Sequence, residues 1–252
     1  MSIAGVLVNT IGISNVMLID ALTFFLAFCI IQFIKVEDTG AASNLTINSC
    51  VEDLKEAFRY IRKESVIFVI IICGAITNLA FTPLNVTQVI YVKEILHMGA
   101  DGMSLFSAAT SLGAVLGGWY VGKKAAKFNL LHTFSGCLLA AAVTYLFLGS
   151  PALVSVTTGL SALIIVDLFL LSFFVAIMNT ILSVYLMQTV PQTMLGRVFS
   201  LLSALFMITT PLGSLLSGMA EFIGTPMMII ASSLLIFLSA LFLKMYLVKK
   251  KL

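Results

Sequence analysis

Few side chains in this chain of 252 residues could do chemistry inside an apolar medium, and they are mainly carboxylates and amides. Asp167 lies a third to halfway along a long apolar run and has no basic residue near it in sequence. An ionisable group inside a membrane span is costly and usually faces a cavity or a partner. We therefore predict that Asp167 binds a proton or a cation. The alternative is that its span starts later and that Asp167 lies near the outer headgroups.

A second group is a row of polar residues at roughly helical spacing, in an apolar run that also contains Pro83. Its members are Asn78, Thr82, Asn85 and Gln88. The row could line a wet cavity next to a kink, because proline frees backbone carbonyls that need a partner. Alternatively, the amides only hydrogen-bond to a neighbouring helix. We favour the cavity, because four polar positions exceed what a single contact requires.

Other chemistry is not encoded. His97 and His132 fall in or near links at opposite ends of the predicted spans, so they cannot join in one site. The sequence has no G-x-S-x-G, H-E-x-x-H or phosphate-binding loop. Its cysteines lack the spacing of a metal or redox site: Cys29, Cys50, Cys73 and Cys137. We predict that the chain is not an enzyme and has no cofactor and no metal.

The composition predicts an all-α membrane protein, since 60% of the residues are hydrophobic and only 10% are charged. Apolar runs of roughly 20 residues are long enough for a helix to span the hydrocarbon core, and they lack the alternation of a membrane barrel. The charges that give the net +3 lie between these runs, so nucleic acid is not an expected partner and the lipid bilayer is. We predict seven transmembrane helices, at about residues 16–34, 66–91, 104–122, 130–149, 160–187, 198–221 and 226–247.

Basic residues set the predicted orientation, because cytoplasmic links retain Lys and Arg. With seven spans, all of the 14 basic residues except Lys93 fall on one side. We therefore expect a multi-pass protein of the cell (inner or plasma) membrane with a cytoplasmic C-terminus. The first 34 residues carry no Lys or Arg, so they are not a signal peptide, and the apolar start before the first span is too short to cross.

The longest link, residues 35–65, contains a predicted amphipathic helix. Ser49 and Glu52 have the spacing of a capping box. One stripe of the helix is apolar and comprises Val51, Leu54, Ala57, Phe58 and Ile61. Either the helix lies on the cytoplasmic membrane surface, or it is a solvated helix that merely joins two spans.

The short polar stretch MQTVPQTMLGRVFS, residues 187–200, separates two long apolar runs. Pro191 is expected to stop the incoming helix, and Gly196 to allow a tight turn before the next one. Arg197 would then begin that next helix and reach lipid headgroups or the carbonyl oxygens that end its predecessor. Pro211 and Gly213 weaken the middle of the same helix, which permits bending but is equally compatible with a static kink.

Small residues at spacing four are expected first of all to let helices approach closely. One set lies in the run that ends near residue 122, and the other surrounds Gly213. These residues are Gly113, Gly117, Gly118 and Gly122 in the first set, and Gly213, Ser214, Ser217 and Gly218 in the second.

Three regions together resemble the major facilitator superfamily. VPQTMLGRVFSLLSALFMITTPLGSLLSG is similar to the passage from the tenth to the eleventh helix of that family, in particular of the bacterial drug-efflux branch that includes macrolide exporters. GGWYVGKKAAKFN, residues 117–129, resembles the loop motif after the eighth helix, although it lacks the acidic residue that the motif commonly carries, so no charge relay is inferred. VEDLKEAFRYIRKE resembles the helix that precedes the seventh span.

The resemblance implies a C-terminal portion of such a permease. Residues 1–34 would be the tail of one helix and one span of the N-terminal half, 35–65 a cytoplasmic linker, and 66–252 a six-helix C-terminal bundle. It implies proton-coupled efflux of a small amphipathic compound by alternating access, with protons, the compound and a separate N-terminal half as partners. The loop and gating candidates would be Gly118, Gly122, Lys123, Lys124, Pro191, Gly196, Arg197, Pro211 and Gly213. The alternative is a truncated membrane fragment that transports nothing.

Overall fold

The computed structural model of the chain describes residues 11–33, 47–124 and 129–250. These residues are almost entirely helical and contain no strand. Seven of the helices among them are long and apolar enough to cross a membrane, so the predicted all-α fold with seven spans is confirmed. Most of the predicted helix tail before the first span lies outside the described residues, and so do the basic residues Lys35, Lys127 and Lys251.

The chain divides into two compact units, residues 1–51 and 52–252. In the first unit, helix α1 covers Ile13–Gln32. Helix α2 covers Ile47–Lys63 and continues from the first unit into the second. It begins two residues before Ser49, so Ser49 is not its N-cap and the predicted capping box is wrong.

The second unit continues with a long third span. Helix α3 covers Ser65–Ile90 and runs on into a π-helical turn, Tyr91–Ile95. It stays helical through Pro83, and Thr87 Oγ1 donates a 2.7 Å hydrogen bond to the Pro83 carbonyl oxygen. This bond lies within the helix and does not replace the N–H that proline lacks, because the carbonyl left without its helical partner is that of Leu79.

Six further helices complete the described part of the unit. Helix α4 covers Ala100–Lys124 and α5 covers Leu130–Leu148, followed by a 3₁₀ turn at Ser150–Ala152. The remaining helices are α6 at Thr158–Thr189, α7 at Gln192–Ser217, the short α8 at Ala220–Ile223, and α9 at Thr225–Lys250. N-caps begin two of the longer helices: Asn129 Oδ1 accepts from the His132 N–H, and Thr157 Oγ1 from the Leu160 N–H.

The spans of the second unit pack as a row of neighbours. The order of the largest contacts is α4, α6, α5, α9, α3 and α7. Buried apolar side chains fill these contacts, among them Tyr145 of α5, Ile164 of α6 and Ile236 of α9. The two ends of the row differ in the extent of contact, because α4 packs on α6 much more extensively than α7 packs on α3.

Helix α7 starts earlier than predicted. It begins at Gln192 rather than near residue 198, with Pro191 in the N-cap position. Gly196 therefore lies inside the helix, and the expectation that it forms a tight turn is wrong. The chain turns instead at Val190 and Pro191, immediately after α6 ends at Thr189, because proline cannot continue an incoming helix but fits at the start of a new one.

Candidate functional site

The polar row on α3 does not act as one unit. Asn78 Nδ2 donates to Thr209 Oγ1 at 2.7 Å and to the Phe206 carbonyl oxygen at 3.1 Å, both on α7. Thr82 is buried and donates its hydroxyl hydrogen to the Asn78 carbonyl oxygen at 2.9 Å. The Asn78 amide thus hydrogen-bonds to a neighbouring helix, which was the alternative to a cavity-lining role.

Gly213 explains why α3 and α7 approach closely at this level. A Cβ atom on Gly213 would meet the Cβ of Thr82 at 2.5 Å, far inside van der Waals contact. The predicted packing role of Gly213 therefore has a specific partner. Pro211, two residues earlier in α7, is exposed and lies within a helix that remains continuous.

Asn85 has a different environment from Asn78. Its side chain is exposed and lines a cavity of about 180 Å³ between α3, α4 and α6. Thr110 and Ser172 contribute further polar groups to this cavity. Gln88, one turn further along, is half-buried. Asn85 thus fits the reading in which a polar side chain faces a cavity.

A second cavity of about 210 Å³ lies between α3, α5, α6 and α7, and Asn78 lines it. Asn179 of α6 lines the same cavity and is exposed. Sequence analysis did not select Asn179, although an amide inside a long apolar run is the same signal that singled out Asn78. The first cavity and this one share Phe81 and Val175, so they are neighbours.

Asp167 is buried, with 7% of its surface exposed, and its Oδ2 atom has no hydrogen-bond partner among the described residues. Helix α6 starts at Thr158, so Asp167 is the tenth residue of a continuous helix. At 1.5 Å per residue the 32-residue helix is about 48 Å long. If it is centred on a hydrocarbon core of about 30 Å, Asp167 lies about 5 Å inside that core.

Two aromatic residues near this level were also missed by sequence analysis. Tyr91 is fully buried, and its hydroxyl donates a 2.5 Å hydrogen bond to the Leu148 carbonyl oxygen at the end of α5. Tyr145 is fully buried as well, and its hydroxyl has no partner among the described residues. Asp167 and Tyr145 are therefore two buried polar groups with unused hydrogen-bonding capacity in one bundle.

The glycines of α4 fall into two classes. A Cβ atom on Gly113 would collide with the Phe169 carbonyl oxygen, and one on Gly117 would collide with the Phe173 carbonyl oxygen, both of α6. Cβ atoms on Gly118 and Gly122 would meet nothing within 4 Å. Gly113 and Gly117 thus set the α4–α6 distance, whereas Gly118 and Gly122 do not.

The end of the bundle that carries Lys63, Lys124, Arg197 and Lys250 is called the basic end below. Here Lys123 Nζ lies 4.1 Å from the centre of the Trp119 ring, and Lys124 Nζ lies 4.8 Å from that of Tyr120. Both are cation–π contacts.

Arg197, predicted to reach lipid headgroups or helix carbonyls, forms ion pairs with α2. Its Nη2 atom lies 3.0 Å from Asp53 Oδ1 and its Nη1 atom 2.5 Å from Glu56 Oε2, so it bridges two carboxylates of α2. Tyr60 of α2 reaches the same region, since its hydroxyl donates to the Thr189 carbonyl oxygen at 3.4 Å. Burial and the charge of Glu64 raise the pKa of Tyr60, which keeps the phenol a donor at neutral pH.

Comparison with known proteins agrees with this architecture. The family model described as Major Facilitator Superfamily matches residues 1–166 and 71–251. An uncharacterized MFS-type transporter of Bacillus subtilis, YvqJ, is 26% identical over 142 residues. That alignment covers 54% of this chain and 34% of the Bacillus protein, so the chain spans about a third of the length of this relative. No solved structure matches the chain. On its seven apolar spans and the extent of the family match, the chain belongs to the major facilitator superfamily of membrane transporters.

Proposed function

We propose that this chain is the C-terminal portion of a permease that exports a small amphipathic compound in exchange for protons, by alternating access. Members of the family transport at an interface between two halves, and the second unit of this chain supplies six spans of the kind that form one half. The basic end is cytoplasmic in this proposal, because Lys and Arg accumulate on that side of membrane proteins.

The observation that carries the proposal is the exposure of two amides at membrane depth. Asn85 and Asn179 are both exposed, although each lies well inside a span longer than 30 residues. An amide facing lipid has no hydrogen-bond partner, which costs a few kcal/mol. The two side chains line neighbouring cavities, and this arrangement favours a wet surface that the compound and the opposite half of the permease share.

Asp167 is the proposed proton carrier. A carboxylate inside a span is stable only when a proton or another cation neutralises it, and the ion pairs found among the described residues do not include Asp167. Its Oδ2 atom is free to hold such a proton. Leu168, its neighbour in sequence, lines the cavity that contains Asn85, which supports proton binding near the proposed substrate surface.

The test is transport by the complete permease, with the upstream half supplied, in proteoliposomes. Asp167→Asn should abolish accumulation driven by a pH gradient but preserve exchange of labelled compound at equilibrium, because exchange needs no net proton movement. Asp101→Asn is the matched control, since Asp101 is exposed at the start of α4. Unchanged gradient-driven transport by Asp167→Asn would remove the proton-carrier role.

A separate variant tests the substrate surface. Asn85→Leu combined with Asn179→Leu should raise KM for the compound by at least about tenfold, because each removes a polar contact worth about 1 kcal/mol or more. Ser183→Ala is the control. Ser183 lies in the same helix as Asn179, and its hydroxyl donates only to a backbone carbonyl of that helix, that of Asn179. Normal KM in the double variant would show that these amides do not contact the compound.

If the chain with its upstream half moves no compound at all, the transporter proposal fails as a whole, and the alternative of a membrane fragment that transports nothing replaces it.

A further inference from the structure

The outer edge of α2 has no role in the proposed transport. Helix α2 buries Ala57 and Ile61, which are 0% and 3% exposed. Leu54 and Phe58 remain 38% and 46% exposed. These two residues are four apart and therefore lie one above the other on the same side of the helix.

Positive charge borders this apolar edge. Lys55 and Arg62 are exposed and seven residues apart, which places them on one line along the helix beside Leu54 and Phe58. Asp53 and Glu56 are directed elsewhere, because both pair with Arg197, which offsets one of their two negative charges. Glu52 is exposed on the far side of Lys55 from Leu54. We call the four residues Leu54, Lys55, Phe58 and Arg62 the α2 edge. It combines apolar contact area with two cations that form no ion pair among the described residues.

The position of α2 brings this edge to the level of a membrane surface. A single residue, Glu64, separates the end of α2 at Lys63 from the start of the membrane-spanning α3 at Ser65. Lys250, at the end of the last span, donates to Ser65 Oγ at 2.5 Å, so a second span ends at this level. Arg197 and Thr189 hold α2 against the turn between α6 and α7. The helix therefore follows the end of the bundle, where lipid headgroups surround the spans.

We propose that the α2 edge docks into the anionic lipid headgroups of the adjacent leaflet, with Leu54 and Phe58 entering the acyl boundary and Lys55 and Arg62 binding phosphate groups. Helices of this kind lie in the interface plane, and their affinity rises with buried apolar area and with negative lipid charge. Arg197 contributes indirectly, since it offsets part of the negative charge of Asp53 and Glu56, which would otherwise repel the same lipids more strongly. This docking does not depend on transport.

The experiment uses the full chain in lipid nanodiscs that hold one copy each. Trp119 is the single tryptophan of the chain, so Trp119→Phe with Phe58→Trp leaves one fluorescent probe on the edge. In discs of phosphatidylcholine and phosphatidylglycerol with brominated acyl chains, the probe should emit at short wavelength and be strongly quenched. In discs of phosphatidylcholine alone, quenching should fall. Adding Lys55→Gln and Arg62→Gln should lower the ratio of docked to undocked helix by about 30-fold, since each cation contributes about a factor of five.

Lys244→Gln with Lys249→Gln is the matched control, because it removes two exposed charges of α9 at the same end of the bundle. Quenching of the Phe58→Trp probe should be unchanged by it. Equal quenching in both lipids, or no effect of Lys55→Gln and Arg62→Gln, would overturn the anionic-lipid assignment. A water-like, unquenched probe in both discs would overturn docking altogether, and a blue shift confined to discs with two copies would assign the edge to a second copy of the chain.

Discussion

Helices α4 and α7, at the two ends of the row of spans, are held in opposite ways. Helix α4 lies flat against α6 because Gly113 and Gly117 let the two backbones touch. Helix α7 is attached by three separate contacts. Arg197 at its start forms an ion pair with α2, Thr209 in its middle accepts a hydrogen bond from Asn78, and Gly213 further along packs closely on Thr82.

The difference shows how one bundle can combine a rigid and a movable side. A continuous backbone contact has no alternative arrangement of similar energy, because sliding either helix brings carbonyl oxygens into Cβ or Cα atoms. Separate hydrogen bonds and ion pairs each contribute about 1 kcal/mol or less, so they can break and reform one at a time. We therefore expect α7 to move more readily than α4, which can move only together with α6.

The largest expected effect comes from breaking the α4–α6 contact. Gly113→Ala with Gly117→Ala should lower the free energy of unfolding by about 3 kcal/mol, because both new methyl groups meet backbone atoms that cannot withdraw. Unfolding of the purified protein in detergent by heat or denaturant measures it. Gly118→Ala with Gly122→Ala is the control and should leave stability equal or higher, since open space surrounds those positions and alanine favours helix. Equal losses in both pairs would contradict the rigid contact.

The next effect concerns the middle of α7. Asn78→Ala should lower the free energy of unfolding by about 1 kcal/mol, because it removes the amide that binds Thr209 and the Phe206 carbonyl. A double-mutant cycle with Thr209→Val isolates the side-chain pair, and its coupling energy should be about 0.6 kcal/mol. Thr210→Val is the matched control, since Thr210 bonds only within its own helix. A coupling energy of zero would mean that the bond does not hold the two helices together.

A smaller effect is expected at the basic end. Arg197→Gln should cost about 0.5 kcal/mol, because the ion pairs with Asp53 and Glu56 are partly exposed and screened by water. The cost should shrink further at high salt. Hydrogen exchange of the first turns of α7 should nevertheless quicken, since this is where the helix is attached. Lys93→Gln, at the opposite end, serves as control. Exchange that is insensitive to Arg197→Gln would show that α7 is held by other contacts.

The smallest effect is expected at the basic end of α4. Lys123→Met removes the cation above Trp119 and should change stability by less than about 1 kcal/mol, because such exposed contacts are weak. The emission of Trp119, the single tryptophan, should shift measurably because its charged neighbour is gone. Lys93→Met should leave the emission unchanged. A loss of stability comparable to that of Gly113→Ala would mean that α4 also depends on its basic end.

Much of the fold could be predicted from the sequence, because the length and hydrophobicity of one segment decide whether that segment can span the membrane. A run of about 20 apolar residues must be helical in lipid, whatever its neighbours are. The start of α7 was misplaced for an equally local reason: QTMLGR is polar, so it was read as a link, although Pro191 is followed by a regular helix. A helix longer than the membrane core extends into polar sequence, and hydropathy does not show where it ends.

The candidate site was less accessible to sequence analysis. The polar row on α3 was visible, but the difference between Asn78 and Asn85 depends on how α3 is rotated towards α7 and α4, which no local pattern encodes. Asp167 could be selected as a candidate from the sequence alone, because a carboxylate inside an apolar run is costly whatever packs against it. The partners of Arg197 lie 141 residues away in sequence at Glu56, and only packing brings them together.

The sequence by itself determined the seven apolar helices that the described residues contain and which polar residues lie within them, because the cost of exposing backbone or charge to lipid acts on each segment alone. Tertiary structure alone decided which of those residues bond to a neighbouring helix, which face a cavity, and which glycines allow close contact. Those outcomes depend on helix rotation and separation, which are set by the summed packing of side chains from segments far apart in the chain.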